Sequence, residues 1–235
     1  MELRIAVSKI DKYGHADSGD TVEIIERPNG GLSVVMADGQ IEGKNNKAIS
    51  TMVTHRVINH ISAGVRDSAA IRAAVSSIFT EFNGKVKANL NVISADLQTD
   101  TILISRNSPV PVFLISDDMV ERLASASEPL GNRIESNPTI IELQIKRGLA
   151  VIAFSDGVFN AGSQDQQISD VVTTIDAFID EQEPSAQEIA DFLLQRAIRM
   201  DEGRPLDDMS VIVLSVSPQS IDQIRRMNVT MTLNE

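Results

Sequence analysis

The order of the predicted secondary structure restricts the possible folds of this chain more than any other feature of its sequence. Strand-like segments, in which apolar and polar residues alternate, occur in groups, and two amphipathic helical segments follow one another between the groups, twice. Parallel βαβ units place single helices between strands, so helices in pairs argue against a parallel sheet. The pattern favours an α+β fold, a four-layer α-β-β-α sandwich of two mainly antiparallel sheets flanked by helix pairs.

We predict one domain over residues 1–235, because no repeat, low-complexity tract or composition break marks a linker. Residues 217–235 form a C-terminal tail, with a helical turn near Ile221 and a strand at Val229 to Leu233. The predicted helices cover residues 45–61, 67–82, 168–179 and 185–198. The predicted strands cover residues 3–10, 20–27, 32–39, 89–96, 101–106, 112–116, 139–145, 148–155 and 210–216.

Two carboxylates mark the ends of a predicted hairpin. Asp20 begins its first strand, Asp38 ends its second strand, and the Pro-Asn-Gly-Gly sequence at 28–31 forms the turn between them. Antiparallel pairing places the start of one strand opposite the end of the next, so we expect Asp20 and Asp38 to share one edge of a sheet. Such an edge suits a hard divalent cation.

Further carboxylates occupy equivalent positions where apolar strands meet loops. Asp156 follows the apolar run at 148–155, and Asp207 and Asp208 come directly before the strand at 210–216. Oxygen-only ligands suit Mg²⁺ or Mn²⁺, and two such cations would offset the repulsion among clustered carboxylates. Two metals can activate a water for hydrolysis of a phosphate ester. A single Asp-Gly at a strand end is more often a simple turn, so the prediction depends on the acids converging.

Composition excludes several classes of function. The formal net charge of −12 opposes binding to nucleic acid or to an anionic membrane surface. Because the chain has no cysteine, it has no disulfide, thiolate zinc site or cysteine nucleophile. No signal peptide or long apolar segment is evident, which predicts a cytoplasmic protein.

Four short motifs, in order along the chain, resemble those of the metal-dependent protein phosphatases, the PPM family. They are Ser18-Gly19-Asp20, Ala37-Asp38-Gly39, the segment at 153–158 and the segment at 207–211. Within that family the chain is most similar to the bacterial SpoIIE-like branch. Its start at the first strand resembles the stand-alone stressosome phosphatases of the RsbX type.

This resemblance implies a site with two divalent cations, Mn²⁺ or Mg²⁺. By resemblance, Asp38 bridges both metals, the carbonyl of Gly39 binds one of them, and Asp20 acts on the second metal. Asp156 and Asp207 match the later metal ligands of the family. The residues expected as neighbours of the site are Asp208, Gly157 and His15.

The resemblance also implies a serine/threonine protein phosphatase that uses a metal-activated water on phosphorylated stressosome-type proteins. One departure matters: many relatives carry His directly after the bridging Asp-Gly, whereas this chain has Gln40, which cannot act as a titrating acid. A non-catalytic phosphatase-like binding module therefore stays open, although all the acidic positions are present. A two-metal phosphodiesterase or nuclease is disfavoured by the charge of −12.

Overall fold

The secondary structure is taken from a computed structural model that describes residues 1–15, 18–117, 119–134, 136–162, 167–182, 184–218, 222 and 224–231. The helices among these residues are α1 (Lys47–Ser62), α2 (Asp67–Phe82), α3 (Asp156–Phe159), α4 (Gln167–Gln182) and α5 (Ala186–Met200). The strands are β1 (Glu2–Ile10), β2 (Asp20–Glu26), β3 (Gly31–Ile41), β4 (Lys44–Asn45), β5 (Val86–Asp96), β6 (Thr101–Asn107), β7 (Val112–Ser116), β8 (Met119–Leu123), β9 (Thr139–Gln144), β10 (Ala150–Phe154) and β11 (Met209–Ser217).

Two antiparallel sheets face each other at the centre of the fold. One has the strand order β1-β11-β10-β7-β8 and the other β2-β3-β5-β6-β9. The residues between them, such as Ile93, Ile104, Val151 and Ile212, form an apolar layer. Helices α1 and α2 cover the outer face of the second sheet, and α4 and α5 cover the outer face of the first. The predicted α-β-β-α sandwich is confirmed.

The hairpin that carries the first two acids has the predicted register. Arg27 N donates to Gly31 O at 3.1 Å, which closes the turn between β2 and β3. Every residue of β2 is then paired, from Glu26 with Leu32 at the turn to Asp20 with Asp38 at the open end. A slip of one residue would move the apolar side chains to the wrong face, so the pattern itself holds this register.

Several local predictions are wrong in their boundaries. Helix α1 begins at Lys47, because Asn46 is its N-cap and accepts a hydrogen bond from Ile49 N at 3.1 Å. Strand β10 covers only part of the predicted 148–155, and Asp156 begins α3. Strand β8 was not predicted, because its residues alternate weakly and lie at a sheet edge.

The predicted structure of the tail is only partly open to comparison. Residues 229–231 form no strand, which contradicts that part of the predicted strand at Val229 to Leu233. The other residues of that strand, and Ile221 at the predicted helical turn, lie outside the described residues. Among the helices that are described, none combines the length and apolar character that a membrane span requires.

Candidate metal centre

Asp20 and Asp38 lie directly opposite each other at the open end of the β2–β3 hairpin. Their side chains are only 1% and 3% exposed. Ser210 Oγ donates to Asp20 Oδ2 at 2.7 Å, and Asn89 Nδ2 donates to Asp38 Oδ2 at 2.9 Å. Asp38 Oδ1 is buried and has no hydrogen-bond partner among the described residues. A buried acceptor without a donor is costly, and a bound cation would remove that cost.

The pKa values of both carboxyls reflect this environment. Burial raises the pKa of Asp20 to about 7, against the opposing hydrogen bonds from Ser210 and Ser155. Burial also raises the pKa of Asp38 to about 8, and the negative charges of Asp156 and Asp20 raise it further. Such carboxyls hold protons near neutral pH until a positive charge replaces them. A cation bound here would take the place of those protons.

Asp156 and Asp207 form the other half of the acidic cluster. Burial raises the pKa of Asp156, and the negative charge of Asp207 raises it further. The two come together because Gly157 packs against the 207–208 segment: a Cβ on Gly157 would lie 2.2 Å from the carbonyl oxygen of Asp208. Asp207 is half-buried, and its Oδ1 accepts from Asn45 Nδ2 at 2.6 Å.

Asp208 is a structural neighbour of the cluster. It is 4% exposed, and its Oδ1 accepts from Lys12 N at 2.9 Å, while its Oδ2 accepts from Gly19 N at 2.7 Å. Both oxygens are therefore bound to backbone of the segment that leads into Asp20. Asp208 therefore holds that segment in place. The carboxylate of Asp207 accepts fewer hydrogen bonds and belongs to the cluster.

Gly39 lies beneath the N-terminus of α1. A Cβ there would lie 2.4 Å from Ser50 N, so no other residue allows the helix this approach. Its carbonyl oxygen accepts from Asn46 N at 2.7 Å, and one lone pair is left for another partner.

His15 does not join the cluster by any hydrogen bond that the described residues show. Its side chain is exposed, and its backbone N–H donates to Lys12 O at 3.0 Å. Its expected place beside the acids therefore gains no support from contacts.

The sequence prediction missed several side chains that contact the acids, and Asn45 at Asp207 is one of them. Asn89 and Ser210 bond the carboxylates of Asp38 and Asp20. Lys9 Nζ and Lys47 Nζ both donate to the carbonyl oxygen of Asp20, at 3.0 and 2.6 Å. Burial lowers the pKa of Lys47, and the positive charge of Lys9 lowers it further. The β3–β5 register would have identified Asn89, because it pairs with Asp38, but that register depends on a strand far along the chain.

The donor set suits a hard divalent cation. Within the part of the chain that the structure describes, no three acidic or histidine side chains form a ready three-ligand metal group. The acids instead lie as two mutually repelling groups, as the raised pKa values of Asp38 and Asp156 indicate. The ligands that these residues offer are oxygens, and Asp38 Oδ1 has no donor among the described residues, which together fit Mg²⁺ or Mn²⁺.

A known protein family matches most of this chain. The sequence profile of Stage II sporulation protein E (SpoIIE) matches residues 28–217, most of the chain. The chain belongs to the SpoIIE family. This match does not identify a subgroup within the family, so the RsbX-type subgroup stays a prediction.

The SpoIIE relatives extend well beyond the matched region. The Stage II sporulation protein E of Priestia megaterium is 25% identical over 207 residues, which cover 88% of this chain and 35% of that protein. The chain therefore spans about a third of that relative's length.

Two solved structures share the fold. The PP2C phosphatase domain of SpoIIE from Bacillus subtilis, with a fragment of its regulatory domain, superposes with a TM-score of 0.78 at 22% identity. That match covers 92% of this chain and 64% of that one. The catalytic domain of the serine/threonine protein phosphatase PstP, in complex with two manganese ions, gives a TM-score of 0.68 at 17% identity, covering 92% and 98%. The SpoIIE-family chain thus has the PP2C phosphatase fold.

Proposed function

We propose that this SpoIIE-family protein is a Mn²⁺- or Mg²⁺-dependent serine/threonine protein phosphatase that acts in the cytoplasm. The observation that carries the proposal is the buried pair of Asp20 and Asp38, with Asp38 Oδ1 lacking any donor among the described residues. Binding of a cation would stabilise such a site, because it would satisfy the buried acceptor. The fold that carries the site is that of the PP2C phosphatases.

Five groups would hold two divalent cations. They are the carboxylates of Asp20, Asp38, Asp156 and Asp207 and the carbonyl oxygen of Gly39. When bound, such cations supply a water activated at neutral pH and neutralise the charge of the phosphoryl oxygens. Asn89 would hold Asp38 Oδ2 so that Oδ1 faces its ligand, and Ser210 would hold Asp20 in the same way.

The substrates we propose are phosphoserine and phosphothreonine residues of proteins. Phosphorylated stressosome-type proteins, and membership of the RsbX-like subgroup, follow from the motif resemblance described above. We also propose that the chain works as a single phosphatase domain, since the acids of the site come from β2, β3, α3 and the segment before β11.

The substitution Asp38→Asn tests this function. It keeps the shape and the hydrogen bond from Asn89 but removes the charge, so we expect Mn²⁺-dependent hydrolysis of phosphoserine peptides to fall more than about 100-fold. Glu23→Gln is the matched control, because Glu23 lies on the same hairpin, away from the site, with a half-exposed side chain.

Three outcomes would contradict the proposal. The first is an Asp38→Asn variant that retains Mn²⁺-dependent turnover at the level of the Glu23→Gln variant. The second is a preference of the wild-type protein for phosphodiesters over phosphomonoesters, which would indicate a two-metal phosphodiesterase instead. The third is the absence of Mn²⁺ binding by calorimetry at millimolar metal, which would indicate a non-catalytic module.

A further inference from the structure

Two large apolar side chains are exposed together beside the acidic cluster. Tyr13 is 60% exposed and Leu206 is 71% exposed. Leu206 directly precedes Asp207, and Tyr13 directly follows Lys12, whose backbone N–H is bound by Asp208. Single exposed apolar residues are ordinary, but two from different segments at the edge of a candidate active site invite an explanation.

These side chains stand on anchored backbone. Tyr13 N donates to Pro205 O at 2.9 Å, which joins the two segments. Leu206 N donates to Asp201 Oδ2 at 2.8 Å, and the carboxylate of Asp201, itself 8% exposed, also accepts from Gly162 N at 3.0 Å. The exposure of Leu206 is therefore a feature of an ordered segment.

A positive charge accompanies the apolar pair. The guanidinium carbon of Arg204 lies 5.3 Å from the centroid of the Tyr13 ring, within the range of a cation–π interaction. The contact restrains both side chains, and Tyr13 is still largely exposed. In a chain with a net charge of −12, this places a cation where an acidic partner would approach.

We propose that Tyr13, Arg204 and Leu206 form a docking rim for the protein substrate. The rim takes a phosphoprotein segment that carries a large apolar residue near the phosphorylated serine or threonine, with an acidic residue opposite Arg204. This inference rests on the proposed phosphatase function and adds a substrate preference to it. Rigid exposed aromatic and aliphatic side chains are efficient anchors, because little conformational entropy is lost when they are covered.

Turnover of two substrates tests the rim. The first is a phosphoserine peptide with a leucine and a glutamate near the phosphoserine, and without tyrosine or tryptophan. The second is p-nitrophenyl phosphate, a small ester that carries neither the leucine nor the glutamate. For Leu206→Ser and Tyr13→Ala we expect the ratio of kcat/KM for the peptide to kcat/KM for the small ester to fall about fivefold or more. Ile140→Ser is the matched control, because Ile140 is 44% exposed on β9 and we expect the ratio to stay unchanged.

Binding can be measured independently of turnover. Tyr13 is the only tyrosine and the chain has no tryptophan, so its intrinsic fluorescence reports on the rim alone. We expect a saturable fluorescence change on titration with the peptide. For a peptide in which glycine replaces the leucine, we expect the Kd from the same titration to be at least fivefold higher. Peptide binding without hydrolysis of either substrate would contradict the phosphatase function and support the rim.

Three results would overturn the rim. The first is hydrolysis of p-nitrophenyl phosphate without any change in Tyr13 fluorescence on peptide addition, which would leave the phosphatase function intact. The second is an equal loss on both substrates in Leu206→Ser, which would mean that Leu206 supports the acidic cluster. The third is a change of oligomeric state in Leu206→Ser by size-exclusion chromatography, which would assign the surface to self-association.

Discussion

A buried acidic group lies near each end of the β3–β5 strand pair, and the two carboxylates have different partners. At one end Asp67 packs on the paired residues Ser33 and Ser94. Its Oδ1 accepts from Arg27 Nη1 at 2.8 Å, and its Oδ2 accepts from Ser94 Oγ. At the other end Asp38 receives a single hydrogen bond, from Asn89 Nδ2, and no cationic side chain contacts its carboxylate among the described residues.

The difference shows which charges the chain compensates by itself. Arg27 neutralises Asp67 inside the fold, so that end is complete without a ligand. Around Asp38 the fold gathers more carboxylates, and the ammonium groups of Lys9 and Lys47 bind a backbone carbonyl rather than a carboxylate. Buried charge without a partner is unfavourable, so the second end is arranged for a cation from solution.

The largest expected effect concerns the compensated end. Asp67→Asn removes the carboxylate nearest the almost buried guanidinium of Arg27 and leaves it a longer ion pair with Asp96 at 3.9 Å, so we expect the free energy of unfolding to fall by about 3 kcal/mol in urea denaturation. Glu81→Gln is the matched control, because Glu81 pairs with Arg56 at the surface and should cost less than about 1 kcal/mol. Equal losses of stability in the two variants would contradict the inference that the buried ion pair contributes more than the surface pair.

The next effect concerns the uncompensated end. Asn89→Ala removes the one hydrogen bond that the described residues give Asp38 Oδ2, so we expect Mn²⁺ affinity measured by calorimetry to fall about 10- to 100-fold. Asn91→Ala serves as control, since Asn91 lies two residues along the same strand and pairs with Met36 rather than with an acid; Asn91 is buried and Asn89 half-buried. A similar loss of affinity in both variants would indicate a general effect on β5 and not the positioning of Asp38.

The last effect concerns the pH dependence of stability in the metal-free protein. Asp38 has a folded pKa of about 8 and Asp20 one of about 7, both above the unfolded value of about 3.9. Between those values the folded state holds protons that the unfolded state has lost, so stability falls as pH rises from about 4 to 8. Each group contributes at most about 1.4 kcal/mol per pH unit.

Thermal unfolding measured across this pH range checks the sign. Asp38→Asn should flatten the curve, because one of the two groups no longer titrates. Saturating Mn²⁺ should reverse the trend, since the metal requires the deprotonated carboxylates. Stability that rises with pH in the metal-free protein would contradict the raised pKa values.

Much of the fold could be predicted from local sequence. The Pro-Asn-Gly-Gly turn and the alternating strands predicted the hairpin and its Asp20–Asp38 register. The paired helices predicted the layer arrangement, and the Ser185 to Glu188 capping box marked the start of α5. Strand β8 and the exact start of α1 escaped prediction, because edge pairing and capping by Asn46 depend on neighbouring segments.

The sequence by itself determined where carboxylates meet strand ends, because turn chemistry and the period of two act over a few residues. Only the tertiary structure decided what those acids face. It placed Asn89 and Ser210 on their oxygens, bound both oxygens of Asp208 to the backbone, and left Asp38 Oδ1 without a donor among the described residues. Those outcomes depend on strands distant in sequence and on burial, since desolvation, which local sequence does not encode, turns ordinary aspartates into a site for cations.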